Sequence, residues 1–250
     1  MKRVLFAGCM LLLVLGAMHV VPVAAEGTPG VVLEYIGHSC FLLTSPGGAS
    51  VLMDPYFYSP GGLRPMPTDL APSAVTVSHD HADHDYVACV PATTAVLRTA
   101  GTYAVGDITV TGYAWREGSP FGPYGIPNVI FVFEVAGTKI VHLGDSGLVT
   151  DPAILQAISD ADVVIVNIDG YVIPSTKILP FMNETRARTV IIAHYTVRAS
   201  IPFGSAPTVE QFFARLPESV VRVASAESTL VVTPGMPTQI LAMTPSTLIK

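Results

Sequence analysis

The most informative stretch of the chain reads Val77-Ser78-His79-Asp80-His81-Ala82-Asp83-His84. It follows an apolar run that predicts a strand and precedes a segment that predicts a helix. Three histidines and two aspartates within six residues are costly to bury unless something binds them. In an extended chain His79 and His81 point to one face, and a helical turn would return Asp83 and His84 to the same point. The pattern predicts a metal site.

The types of side chain in this stretch narrow the choice of metal. Imidazole and carboxylate groups without a thiolate suit zinc, and they also suit manganese or iron. We therefore expect one or two divalent ions, with zinc as the first choice. The alternative is a solvated turn rich in histidine and aspartate that binds no ion.

Four further motifs follow in an order that matches a known family. They are Gly37-His38-Ser39-Cys40-Phe41, Asp54-Pro55, His142-Leu143-Gly144-Asp145 and Ala193-His194-Tyr195. With His-x-His-x-Asp-His after a strand, the chain resembles the metallo-β-lactamase superfamily over residues 31–232. It looks most like the branch of ascorbate-6-phosphate lactonase-like hydrolases and, more distantly, the phospholipase D-like enzymes that cleave N-acyl-phosphatidylethanolamine. The resemblance implies an α+β fold, a four-layered αββα sandwich with the site at the edge of its two sheets.

The resemblance also implies a set of metal ligands. Carried over by position, the first metal would be held by His79 and His81, the second by Asp83, His84 and His194, and both by a bridging Asp145. The residues themselves agree with the last two assignments. Asp145 and His194 each follow an apolar run, so their side chains can reach the crevice at the strand ends.

The chain departs from the family pattern at one ligand of the first metal. The family has a further histidine there, but residues 86–140 contain none, and by register Arg116 stands near the expected position. Three outcomes stay open: Glu117 supplies an oxygen ligand, only the second metal binds, or Arg116 places a cation in the gap. Such an arginine could also bind a carboxylate or phosphate of the substrate. The sequence favours one metal over two.

The resemblance implies a metal-dependent hydrolase. A divalent ion lowers the pKa of its bound water to about 7, which supplies hydroxide at neutral pH. This hydroxide would attack an ester, lactone, amide or phosphodiester of a small molecule. With one ion, Asp83 or Asp80 would act as general base. The metal, together with Tyr195 or Arg116, would stabilise the oxyanion. The alternative function is a non-catalytic ligand-binding protein with a degenerate first metal site.

Three polar residues near the motifs are expected to support the centre. Asp54 ends a predicted strand and is expected to accept a hydrogen bond from a ligand histidine, which would fix the tautomer of that histidine. His142 is expected to pack beside the centre, and His38 to lie near it without binding metal.

Composition and charge limit the other functions. The chain has 250 residues, 50% hydrophobic and 13% charged, with a net charge of −6. This composition excludes a disordered or fibrous chain and lacks the basic surface of a nucleic-acid-binding protein. We expect a small-molecule substrate and no nucleic-acid partner, and the oligomeric state is left open. Apolar loops around Phe121 and Phe203 also allow a lipid-like substrate.

The N-terminus has the pattern of a secretory signal. Lys2 and Arg3 precede an apolar run over residues 4–21, and small residues follow up to Ala25. The pattern predicts a signal peptide over residues 1–25 and an exported single domain over residues 26–250. The alternative is an uncleaved N-terminal membrane anchor. No later segment of the sequence is long and apolar enough to span a membrane.

Patterns of β-branched and turn-forming residues predict the secondary structure. Strands are predicted over residues 31–36, 40–44, 51–53, 74–78, 108–113, 129–135, 139–143, 163–167, 190–193 and 230–233. Helices are predicted over residues 82–89, 152–159, 175–186 and 208–216. Cys40 and Cys89 could pair in an oxidising compartment or remain separate thiols.

Overall fold

The structure is a computed structural model that describes residues 30–57, 61–118, 125–170 and 172–249. These residues form two β-sheets and three short α-helices. The predicted signal peptide and Phe121 lie outside the described residues, so the prediction of a cleaved leader stays a prediction. None of the helices in the described ranges has the length and apolar character needed to cross a membrane.

The first sheet has six strands, in the order β13-β1-β2-β3-β4-β5. Their bounds are β1 Val31–Gly37, β2 Cys40–Thr44, β3 Ser50–Met53, β4 Ala74–Thr76, β5 Ala95–Leu97 and β13 Thr229–Val232. The pairs from β13 to β3 are antiparallel, and β3, β4 and β5 are parallel.

The second sheet has eight strands, in the order β12-β14-β11-β10-β9-β8-β7-β6. Their bounds are β6 Gly101–Val105, β7 Ile108–Arg116, β8 Pro127–Val135, β9 Thr138–His142, β10 Val163–Asn167, β11 Thr189–Ala193, β12 Arg222–Ala224 and β14 Gln239–Ala242. Strands β6 to β9 are antiparallel, whereas β9, β10, β11, β14 and β12 run parallel. The continuous apolar runs of β10 and β11 fit this position, because central parallel strands are buried on both faces.

The helices connect the parallel strands of the second sheet. Their bounds are α1 Pro152–Ile158, α2 Ser175–Thr185 and α3 Val209–Phe213. Asp151 caps α1, and Thr208 caps α3 in a capping box with Gln211. Ile158 of α1 and Phe181 of α2 are buried in the same apolar core as the strands.

The core has two parts, one on each face of the six-stranded sheet. Val51 and Met53 of β3 join the large cluster that the eight-stranded sheet and the helices share, whereas Leu52 joins a smaller cluster on the opposite face. This alternation follows from the two-residue period of a strand. Loop residues such as Tyr56 and Leu63 and a 3₁₀ helix, Val87–Cys89, cover the smaller cluster.

The comparison with the predicted elements confirms most of the strands and the α+β sandwich. The predicted helix over residues 82–89 is wrong, because the chain there makes one turn and then the short 3₁₀ helix. The amides of His84 and Asp85 both donate to the His81 carbonyl, and the next amide, of Tyr86, donates to Pro55 instead of continuing a helix. The helix predicted over 208–216 is shorter, and β5, β6, β12 and β14 were not predicted.

The ends of the strands bring the polar motifs to one edge of the two sheets. His38 lies between β1 and β2, and Asp54, Asp145 and His194 follow β3, β9 and β11. The histidine-rich stretch follows β4. The two cysteines of the described chain, Cys40 and Cys89, are buried as free thiols in the smaller cluster, which is the second of the two alternatives that the sequence leaves open.

The cap of α1 provides a test of the fold. Asp151 Oδ1 accepts hydrogen bonds from the amides of Ala153 at 2.8 Å and Ile154 at 3.2 Å. We expect Asp151→Ala to lower the free energy of unfolding by about 1 kcal/mol, measured by urea denaturation. Asp151→Asn keeps an accepting oxygen and serves as the control. An equal loss in both variants would contradict the capping explanation.

Candidate metal centre

Three side chains of the site stand on unusual backbone conformations. His38, Asp54 and His194 have φ values of 57°, 43° and 58°. Residues other than glycine rarely adopt this left-handed region, which costs of order 1–3 kcal/mol each and persists only where the surroundings enforce it. Here the amide of His194 donates to the His38 carbonyl at 3.0 Å, and the amide of Asp54 donates to the Thr76 carbonyl at 3.0 Å. The strand ends are therefore held in the conformations that aim these side chains at the site.

One group of side chains, the first cluster, consists of His79, His81, Glu117 and Asp145. Each offers one ligand atom, and these atoms lie within 4.8 Å of one another. His79 Nε2 is 3.0 Å from His81 Nδ1 and 3.8 Å from Asp145 Oδ2. His81 Nε2 is 3.9 Å from Glu117 Oε2. Two imidazoles and two carboxylates thus face a common point.

A second group, the second cluster, consists of His38, Asp83, His84 and His194. Asp83 Oδ2 lies 3.0 Å from His38 Nε2, 3.5 Å from His194 Nε2 and 3.9 Å from His84 Nε2. The structure therefore brings Asp83, His84 and His194 together as the sequence predicts, and it adds His38, which the sequence analysis placed nearby without a role as ligand.

Asp145 contacts both clusters. Its Oδ2 faces His79 of the first cluster, and its Oδ1 lies 3.4 Å from His84 Nε2 of the second. A carboxylate with one oxygen toward each cluster has the placement that a bridging ligand needs. The predicted role of Asp145 as a bridge fits this geometry.

Unpartnered nitrogen atoms indicate that the second cluster suits a cation. Within the described ranges, Nε2 of His84 and Nε2 of His194 are buried and make no hydrogen bond. Buried polar atoms normally have a partner, and both atoms face carboxylates that carry negative charge. A divalent ion between the imidazoles and carboxylates would satisfy both nitrogens, so the residues fit the metal that the sequence predicts.

The electrostatics of the second cluster favour a bound cation. Burial opposes ionisation of Asp83, yet the neighbouring imidazoles of His194 and His38 hold the pKa of Asp83 well below its usual range. Burial also opposes protonation of His84, but the charges of Asp145 and Asp54 outweigh it and raise the pKa of His84 to about 9. Asp54, Asp83 and Asp145 therefore stay ionised, and their negative charge favours a cation at the second cluster.

Asp54 orients one of the candidate ligands. Its Oδ2 accepts from His84 Nδ1 at 2.8 Å, and its two oxygens also accept from the amide and hydroxyl of Ser78 at 2.8 and 2.5 Å. With the proton on Nδ1, His84 presents the lone pair of Nε2 to the cluster. This is the role that the sequence predicts for Asp54.

His142 supports the backbone, as expected. Its Nε2 lies 2.9 Å from the Ser39 carbonyl, and its Nδ1 accepts from the amide of Gly144 at 3.2 Å. The same turn needs glycine, because a Cβ at Gly144 would lie 2.4 Å from the Cβ of Ser78 and its φ is +58°.

Asn167 is a supporting residue that the sequence analysis missed. It ends β10 and is buried, and its Nδ2 donates to Asp145 Oδ1 at 2.5 Å and to the Gly144 carbonyl at 3.1 Å. Its Oδ1 accepts from the hydroxyl of Ser39 at 2.7 Å. Asn167 thereby fixes the orientation of the Asp145 carboxylate. The available signal was a polar residue at the end of an apolar strand, next to other strand ends that carry Asp and His.

Three residues with predicted catalytic roles are not members of either cluster. The side chain of Asp80 is 83% exposed and forms an ion pair with Arg98 at 2.9 Å. Arg116 is exposed, and the next residue, Glu117, takes the position near the first cluster. Tyr195 is buried and donates its hydroxyl to the Met243 carbonyl at 2.9 Å. The catalytic roles expected for these three residues stay predictions.

Comparison with known proteins assigns the family. Residues 32–194 match the family model described as the beta-lactamase superfamily domain, and the chain belongs to this superfamily. A UPF0173 metal-dependent hydrolase of Methanospirillum hungatei is 29% identical in an alignment of 164 positions that covers 55% of this chain and 70% of the relative. A UPF0173 metal-dependent hydrolase of Anaeromyxobacter sp. is 26% identical in an alignment of 257 positions, gaps included, that covers 86% of this chain and 88% of the relative.

A solved structure agrees with this assignment. It comes from Thermotoga maritima and is described as a presumed Zn-dependent hydrolase of the metallo-β-lactamase superfamily. The TM-score is 0.65 at 26% identity, and the match covers 85% of this chain and 98% of that chain. The chain is accordingly a metal-dependent hydrolase of the metallo-β-lactamase superfamily, the first of the two functions that the sequence leaves open.

The contact between Asn167 and Asp145 provides a test of the centre. We expect Asn167→Asp to weaken metal binding by about 10–100-fold, because a second carboxylate replaces a donor that orients Asp145. Titration of the metal-free protein with zinc, followed by calorimetry, measures this loss. Asn183→Asp adds the same charge on the exposed surface of α2 and is the control. Equal affinities for the two variants would contradict the role of Asn167.

Proposed function

We propose that this hydrolase is exported and cleaves an ester, lactone or phosphodiester bond of a small molecule at the two clusters around Asp145. The observation that carries the proposal is the position of Asp145, whose two oxygens face His79 and His84 at 3.8 and 3.4 Å. One carboxylate between two sets of imidazoles supports a centre in which attacking water and substrate oxygen bind side by side.

The candidate ligands divide between the clusters. His79, His81 and Asp145 would hold one ion, and Asp83, His84 and His194 would hold another, with Asp145 shared. When bound, divalent ions polarise the substrate oxygen and make water acidic enough to supply hydroxide near neutral pH. Zinc suits the imidazole-rich second cluster.

The other residues of the site orient the ligands. Asp54 holds the tautomer of His84, and His38 holds one oxygen of Asp83 at 3.0 Å. Burial and the neighbouring His194 lower the pKa of His38 to about 3, so its imidazole stays neutral near pH 7. Asp83, whose pKa is held low by its histidine partners, remains ionised and fits the role of a ligand better than that of a general base.

An aromatic residue beside the second cluster supports a substrate with an apolar group. The ring of Phe203 stands edge-on to His38 and His194, with centroid distances of 5.0 and 5.1 Å. It is only half-buried, so part of the ring surface is accessible to a ligand beside the imidazoles. A small molecule that combines a hydrolysable bond with an apolar substituent fits this surface.

Export is the part of the proposal that the N-terminal sequence supports. Cleavage after Ala25 would leave a chain that begins at Glu26, with a net charge two units more negative because Lys2 and Arg3 are removed. Expression of the full chain in a bacterium with periplasmic and cytoplasmic fractionation, followed by N-terminal sequencing, tests it. A full-length chain in the membrane fraction would support the anchored alternative.

Metal-dependent hydrolysis is tested with three chromogenic or spectrally detected substrates: a p-nitrophenyl ester with an apolar acyl chain, a γ-lactone and bis-p-nitrophenyl phosphate. We expect the metal-loaded protein to hydrolyse at least one of them, chelation to abolish the rate, and added metal to restore it. His84→Ala should lower kcat/KM by at least about 10³-fold, since it removes a ligand and leaves Asp54 without its histidine hydrogen-bond partner.

The matched control is Glu134→Gln, which changes an exposed carboxylate on β8 far from the clusters in the chain. Its rate should equal that of the unchanged protein. Hydrolysis that survives chelation, or that His84→Ala retains, would overturn the proposed use of these residues.

A further inference from the structure

The backbone fixes Glu117 beside the loop that carries Asp145. The amide of Glu117 donates to the Ile126 carbonyl at 2.9 Å, and Glu117 forms an antiparallel bridge with Ser146. On its two sides, the amide of Gly118 donates to the backbone carbonyl of Asp145 at 2.8 Å, and the amide of Gly147 donates to the backbone carbonyl of Arg116 at 3.1 Å. Glu117 is therefore part of a continued β-ladder and is not in a free surface loop.

Close packing reinforces this position. A Cβ at Gly118 would lie 2.0 Å from the Val172 carbonyl oxygen, and one at Gly125 would lie 2.5 Å from the Cβ of Arg116. Because these two glycines have no side chain, the backbone of the segment can lie this close to its neighbours. The alternation along a strand then sends the Arg116 side chain to solvent and the Glu117 side chain toward the first cluster.

The Glu117 carboxylate has the environment of a ligand. Its side chain is only 8% exposed, and its Oε2 lies 3.9 Å from His81 Nε2. Burial of a carboxylate is costly unless positive charge compensates it. A cation at the common point of His79, His81 and Asp145 would compensate this carboxylate.

We propose that Glu117 is a ligand of the first metal, in the place of the histidine that the family pattern has there, and that it shifts this half-site from zinc toward manganese(II) or iron(II). The centre would then hold two ions, with Asp145 shared between them. The inference rests on the proposed function, because it names the metal chemistry of the same centre. The role of Glu117 is tested by metal binding alone, so this inference and the proposed function can fail independently.

The donor atoms of the first half-site support this preference. Without Glu117 this half-site offers two imidazole nitrogens and the shared carboxylate of Asp145, and Glu117 adds a second carboxylate. Imidazole suits zinc, carboxylate oxygen suits manganese, and two histidines with a carboxylate are typical of iron(II) sites. Replacing a histidine ligand by Glu117 thus moves the first half-site toward metals that prefer oxygen.

The first experiment tests whether Glu117 is a ligand. Metal-free protein is titrated with manganese(II), and the electron paramagnetic resonance signal of free manganese gives the bound equivalents. We expect two equivalents for the unchanged chain and for Glu134→Gln, which removes the same charge elsewhere. In Glu117→Gln one equivalent should be lost or weakened by more than about 10-fold. Two equivalents of unchanged affinity in Glu117→Gln would overturn the proposal.

The second experiment tests the metal preference with Glu117→His. This variant should still bind two ions, which also shows that the site is folded. Zinc is then added to the manganese-loaded proteins. The zinc concentration that displaces manganese from the first half-site should be about 10-fold lower, or lower still, for Glu117→His than for the unchanged chain. An unchanged ratio of manganese to zinc affinity would overturn the preference. If both metal-binding experiments give the expected results but no substrate is hydrolysed, the proposed function is refuted and the assignment of Glu117 as a ligand stands.

Discussion

The carboxylate of Asp145 is the contact on which the site depends. Its two oxygens face imidazoles of different clusters, and Asn167 donates a 2.5 Å hydrogen bond to one of them. A carboxylate buried among histidines is stable only while its charge is compensated. The surrounding side chains supply this compensation, by hydrogen bonds on one side and by imidazoles on the other, so the geometry of both clusters is set by one residue of the Gly144–Asp145 turn.

The backbone bears part of the cost of this arrangement. His38, Asp54 and His194 adopt left-handed conformations directly at strand ends, where a polar side chain must turn back toward the sheet edge. Hydrogen bonds between the loops hold these conformations in place. Strain of this kind is typical of sites whose geometry matters more than local stability. The apolar core of the two sheets supplies the stability that offsets it.

The sequence predicted most of the strands and the proximity of the residues in the histidine-rich stretch, because both leave a local signal. Buried strands show apolar runs, and His79 to His84 lie in one short stretch, so their proximity required no knowledge of tertiary structure. The helix predicted over residues 82–89 does not form because Asp83 and His84 contact residues that are distant in sequence. Local helix propensity takes no account of such contacts. Asn167 and Glu117 were harder, because their roles depend on β-ladder partners far away in sequence. A register error of one residue put Arg116 where Glu117 stands, since a one-residue shift exchanges the two faces of a strand.

Each cluster draws side chains from both sheets. His79 and His81 follow β4 of the six-stranded sheet, whereas Glu117 and Asp145 belong to the eight-stranded one. The Ser39–Asn167 hydrogen bond also joins the two sheets. Ions in these clusters would act as cross-links, so metal affinity and sheet-to-sheet packing are thermodynamically coupled. By this reciprocity, a core substitution that slides one sheet across the other would change metal affinity without touching any ligand, and a bound metal would resist the slide by the same free energy.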